Sequence, residues 1–100
     1  MAVYIKLNDG NSYELSPLTV YWIERLDDIM KESAGSLSKE FKTMTDLIYQ
    51  SLIRKSPELK REDLSNLLDS DQINDVFTEL LVVSKLMKKT DDGKVEEEKK

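Results

Sequence analysis

The chain contains no cysteine and no histidine among its 100 residues. The first absence excludes disulfides, thiolate metal sites and thiol nucleophiles. The second removes the commonest general base, the commonest transition-metal ligand and the side chain that titrates near neutral pH. Catalysis would have to run on carboxylates, Lys, Arg, Tyr and Ser alone, which is rare given how perturbed catalytic groups are normally built. The chain therefore reads as a non-enzyme with no cofactor and no metal.

An excess of basic residues is also missing. There are 20 acidic and 15 basic residues, for a formal net charge of −5. Nucleic-acid binding draws its affinity from Lys and Arg that neutralise phosphates, and here the bases are scattered among acids, as in Lys60-Arg61-Glu62-Asp63. The composition predicts no nucleic-acid partner. No apolar run approaches the roughly 18 residues that span a bilayer, and the first residues lack a basic region followed by an apolar stretch. A cytoplasmic protein without membrane association is expected.

The acidic pairs are poor ligand sets. Asp27-Asp28 and Glu62-Asp63 fall on predicted helices, where adjacent side chains do not face each other. Asp69-Ser70-Asp71-Gln72 lacks the central glycine and closing glutamate of a calcium loop. No glycine-rich phosphate loop is present, and Gly10 reads as a turn residue. Solvated charge is the simplest account of all these acids.

What is present predicts an α+β domain, mainly α, with a small N-terminal β-hairpin packed on a bundle of three to four helices. Val3, Ile5 and Leu7 alternate with polar or amphipathic residues, as do Tyr13 and Leu15. A two-residue Asp9-Gly10 loop would set Leu7 against Ser12, whereas a three-residue loop with Gly10 left-handed pairs Ile5 with Tyr13 and Val3 with Leu15. Register follows the buried face, so the odd loop is predicted.

Ser16-Pro17 resembles an N-cap followed by proline at the first helical position, which predicts a helix over 17–32. Leu18, Trp22, Leu26 and Ile29 form its expected core stripe, and Gly35 suits its C-terminal cap. Phe41, Met44, Ile48 and Leu52 predict a second helix over 38–54, and Leu64, Leu67 and Leu68 a short third over 61–68. Asp69 and Gln72 stand at capping-box separation before a fourth helix over 71–88, with Ile73, Val76, Phe77, Leu80, Ser84 and Met87 as core. From Thr90 onward the chain is charged, with Val95 its single apolar residue. A domain over 1–89 and a disordered tail over 90–100 follow.

Two stretches carry more apolar surface than one stripe can use. Val20 to Ile23 and Leu80 to Val83 are each four apolar residues in a row. At about 100° per residue, such a run sweeps roughly 300° of the helix. Some of these side chains must face away from the core, and such surface marks a partner interface. Trp22 sits mid-stripe and is expected in the core. Val20, Tyr21, Leu81, Val82 and Leu86 lie off the stripes and are the expected partner-binding residues.

The order of elements then carries a resemblance. A hairpin with Asp-Gly at its tip precedes Leu15-Ser16-Pro17-Leu18-Thr19 and a Trp-bearing helix. Next come Thr45-Asp46-Leu47-Ile48-Tyr49-Gln50-Ser51-Leu52, Ser56-Pro57-Glu58-Leu59, Glu62-Asp63-Leu64 and an apolar-rich last helix. This pattern, over about residues 3–88, resembles the tail assembly chaperones of long-tailed bacteriophages. The resemblance implies a chaperone of virion morphogenesis that coats the long apolar tape-measure protein. It also implies recruitment of tail-tube subunits, self-association, and release before the mature virion. It further implies a longer frameshifted form, and Glu98-Lys99-Lys100 can be encoded by an unbroken adenine run. A small cytoplasmic helical adaptor or regulatory module fits the same composition. A DNA-binding helix-turn-helix fits less well, because Asp75 and Glu79 make the start of the last helix acidic.

Overall fold

The hairpin forms in the odd-loop register. In the computed structural model, which describes residues 3–87, β1 (Val3–Lys6) pairs antiparallel with β2 (Ser12–Leu15). Ile5 stands opposite Tyr13 and Val3 opposite Leu15. The turn closes with the Gly10 N–H donating to Leu7 O (3.0 Å) and the Leu7 N–H to Asn11 O (3.1 Å). Gly10 takes φ +84°, a left-handed value that a side chain would disfavour. Ile5, Leu7 and Leu15 are buried on one face, while Tyr4 and Lys6 face solvent. The expected tail over 90–100, and the last residues of the expected 1–89 domain, lie outside the described residues.

A two-stranded hairpin is marginal alone, and this one is tied down at its tip. The Asn8 N–H donates to Leu67 O (3.2 Å) and its side-chain amide to Asp69 Oδ1 (3.0 Å). Gln72 Nε2 donates to Lys6 O (2.8 Å). Asp69 and Gln72 thus spend their side chains on the hairpin. Of the expected capping box only a long contact survives, from the Asp69 N–H to Gln72 Oε1 at 3.5 Å.

Four helices follow: α1 (Val20–Ser33), α2 (Leu37–Leu52), α3 (Arg61–Leu67) and α4 (Ile73–Val83). The centre is α2, which packs against α1, α3, α4 and β2. Met44, Leu47, Ile48 and Leu52 bury its apolar face, close to the periodicity expected, and Leu64, Ile73, Val76, Phe77 and Leu80 close the core around it. Ser36 caps α2, its Oγ accepting from the Lys39 N–H at 3.5 Å. Among the described residues no helix is long and apolar enough to cross a membrane.

Two helix ends differ from expectation. Helix α1 begins at Val20, three positions after Pro17, because the backbone of Ser16 to Leu18 is held outside the helix by distant side chains. Ser51 Oγ accepts from the Ser16 N–H and donates to Ser16 O, both at 2.7 Å. Ser84 Oγ accepts from the Leu18 N–H at 2.9 Å, and Arg54 donates to Pro17 O at 2.7 Å. Ser16 is therefore no N-cap; it is buried against α2.

Helix α4 ends at Val83, five residues early. Lys85 turns left-handed (φ +64°), the Lys85 N–H donates to Val82 O and the Leu86 N–H to Leu81 O. This 5→2 and 6→1 pair is a Schellman closure, with lysine where glycine is usual. The expected core residue Met87 consequently lies beyond the helix and is 45 % exposed. Leu86 likewise belongs to the closing turn rather than to the helix face it was assigned.

Candidate functional site

Helix α1 holds seven apolar residues, and none of them is buried; its one buried residue is Ser33. Among the elements it packs on α2 alone. Trp22, Ile23, Leu26 and Met30 are half-buried against the core, and Ile29 is half-buried outside it. Trp22 thus departs from the buried position its spacing suggested. A stripe that faces a single neighbour stays open along its flanks, and α1 is the least covered long element of the fold.

The first turn of α1 is the most exposed part. Val20 is 68 % and Tyr21 55 % exposed, as expected of residues off the stripe. Tyr21 is held in place rather than loose. Its ring meets Trp22 edge-on at 5.1 Å, and the Arg25 guanidinium lies 3.7 Å from its centroid while donating to Tyr21 O at 2.7 Å. A cation over an exposed ring contributes about 0.5–1 kcal/mol. An aromatic fixed in this way loses little freedom when a partner covers it, which favours binding.

Trp22 also lines a cleft of about 230 Å³ with Leu18, Ile53 and Arg54 at the junction of α1 and α2. Val20 and Tyr21 precede Trp22 in the same turn and do not line this cleft. The other expected partner residues are dispersed differently. Leu81 is half-buried and packs against the core, Val82 is half-buried, and Leu86 is 38 % exposed past the end of α4. Tyr21 touches Trp22, whereas Leu81 packs half-buried against the core from α4. Sequence reading missed Leu37, 69 % exposed at the first position of α2, and Tyr4 on the outer face of β1. For Tyr4, its alternation with half-buried Val3 and buried Ile5 carried the signal.

The remaining concavities offer little chemistry. A cavity of about 350 Å³ is bounded by Asp9, Tyr13, Glu58 and Asp63. The Tyr13 hydroxyl donates to Asp9 Oδ2 at 2.6 Å and, with help from the Asn11 N–H, holds the Asp9 carboxyl below its ordinary value. The same bond raises the Tyr13 phenol. A carboxylate tuned downward and open to water is a weak base at neutral pH. Among the described residues no three acidic side chains gather as a metal-binding group. Compared with protein-family models, curated proteins and solved structures, the chain has no match in any of the three.

Proposed function

We propose that this chain is a tail assembly chaperone, a binding protein without turnover. It covers an apolar helical client, the tape-measure protein, keeps it soluble in the host cytoplasm and helps recruit tail-tube subunits. The observation that carries the reading is α1. Its apolar residues Val20 to Ile23 ring the first turn, and among the described residues no apolar residue of the helix is buried and α2 is the one element packed on it. An amphipathic client helix laid along α1 would bury surface the monomer leaves open, a common mode of peptide recognition. The specific client comes from the order of elements described above, and α1 supplies the means of binding it.

Co-expression tests the proposal. The tape-measure protein made alone is expected to aggregate, and made with this chain to co-purify as a soluble complex. A client equally insoluble with and without the chain would remove the reading. The same surface could also join copies of this chain, and sedimentation of the protein alone over a range of concentrations reads that directly.

A further inference from the structure

Two clefts with separate linings, the one beside Trp22 and a second near the far end of α1, lie in line along the groove between α1 and α2. The second, about 310 Å³, lies between Ile29 on α1 and Lys39, Lys42 and Thr43 on α2. Trp22 and Ile29 stand two turns apart on α1, and the facing lining passes along α2 from Lys39 through Thr43 to Gln50, then to Ile53 and Arg54 in the turn that follows it. These spacings place each set on one stripe of its helix. At 1.5 Å per residue, Lys39 and Gln50 are roughly 16 Å apart along α2, about three helical turns, and Arg54 lies past the helix end.

The charge of this groove opposes that of the chain. The net charge is −5, yet Lys39, Lys42 and Arg54 all line the groove. Among the described residues the ion pairs are Arg25–Glu24 and Arg61–Asp46, so none of the three cations has a carboxylate partner there. Of the acids on the groove wall, Asp46 is held by Arg61, which leaves Glu32 against Lys39 and Lys42 at one end, while at the other end Arg54 donates to Pro17 O. Between them Trp22, Ile29 and Ile53 are half-buried and supply apolar surface. Unpaired cations beside an apolar floor are complementary to an apolar stripe flanked by carboxylates.

We infer that the α1–α2 groove docks an amphipathic helix of a partner protein whose apolar stripe is bordered by Asp and Glu. This rests on the reading of the chain as a helix-binding protein and adds the sign of the client's charge. The local field selects this partner against the global one, because long-range attraction to a chain of net charge −5 favours a basic helix.

Trp22 is the one tryptophan of the chain, so its emission reports on the groove. The probes are two tryptophan-free amphipathic peptides of about four turns, with leucine on one face and either glutamate or lysine bordering it. Titrated into the full chain, the glutamate peptide is expected to shift Trp22 emission to shorter wavelength and to bind about tenfold tighter than the lysine peptide. Lys39→Glu/Lys42→Glu should abolish or invert that preference. Both lysines are exposed, and circular dichroism checks that the variant keeps its helices. Equal or tighter binding of the lysine peptide would overturn the inference, as would an unchanged preference in the double variant or a silent Trp22. Soluble yield of a co-expressed client reads the functional proposal separately. A soluble complex together with a silent Trp22 removes the groove assignment alone.

Discussion

Ser51 Oγ lies 2.7 Å from both the amide nitrogen and the carbonyl oxygen of Ser16, accepting from one and donating to the other. One hydroxyl on α2 thereby satisfies the backbone where β2 ends, as a third strand would have done. Ser51 is fully buried and Ser16 nearly so. Removing the hydroxyl leaves a buried N–H and a buried C=O unpaired, at about 1–3 kcal/mol for each group left unsatisfied. Ser51→Ala should lower unfolding free energy by about 2 kcal/mol, read as a lower urea midpoint at unchanged slope. A midpoint equal to wild type would mean that water replaces the serine without loss.

The second prediction concerns Trp22, whose spacing with Leu18, Leu26 and Ile29 suggests a buried position. Because it is only half-buried, Trp22→Ala should cost less than the roughly 3–5 kcal/mol of a fully buried aromatic. The variant is expected to remain folded at room temperature and to lose client binding. Complete unfolding would show that the contacts of α1 with α2 carry more of the stability than its exposure implies.

Much of the fold was legible because it depends on neighbours in sequence. Hairpin register followed from Gly10 and the alternation of Ile5, Tyr13 and Leu15, and the face of α2 followed from Phe41, Met44, Ile48 and Leu52. The start of α1 was not legible. Ser16-Pro17 has the local chemistry of a helix start, and the hydroxyls that override it come from Ser51 and Ser84, far along the chain. Periodicity likewise identified the apolar face of α1 but not how many elements would cover it. That number is set by topology, and it decides how much of the apolar face stays exposed. Val20 and Tyr21 were readable because four apolar residues in a row exceed any one stripe. Leu86 was misplaced because lysine at position 85 gives no sign of a left-handed turn.

The hairpin tip should show a reciprocal pH signature. Asp9 is lowered chiefly by the Tyr13 hydroxyl, so its contribution is present above the ordinary carboxylate value of 3.8 and fades as pH falls through the lowered value. Tyr13 is raised chiefly by Asp9, so its contribution is present below the ordinary phenol value of 10.0 and fades as pH rises through the raised one. The bond is fully formed between the two. In Tyr13→Phe, the Asp9 carboxyl followed by NMR should titrate closer to its ordinary value. An unchanged Asp9 titration would contradict the assignment.

Lys85 offers a stabilising change. A non-glycine residue at φ +64° is strained, and glycine relieves that strain at some cost in unfolded-state entropy. Lys85→Gly should raise stability by roughly 0.5–1 kcal/mol, within the usual range for an improved helix cap. A higher melting temperature checks it. A lower one would mean that the lysine side chain makes contacts worth more than the strain.

The central claim, that the first turn of α1 receives an apolar helix, is tested most directly by the soluble fraction of co-expressed tape-measure protein with wild-type chain and with Tyr21→Glu. Tyr21 is 55 % exposed, so the charge is placed in water and the monomer should keep its helicity, losing only the roughly 0.5–1 kcal/mol of the Arg25 stack. An interface anchor removed in this way typically costs about 2 kcal/mol or more, near 30-fold in affinity. The account predicts a largely soluble client with the wild type and an aggregated client with the variant. A client that Tyr21→Glu keeps as soluble as the wild type does would contradict it.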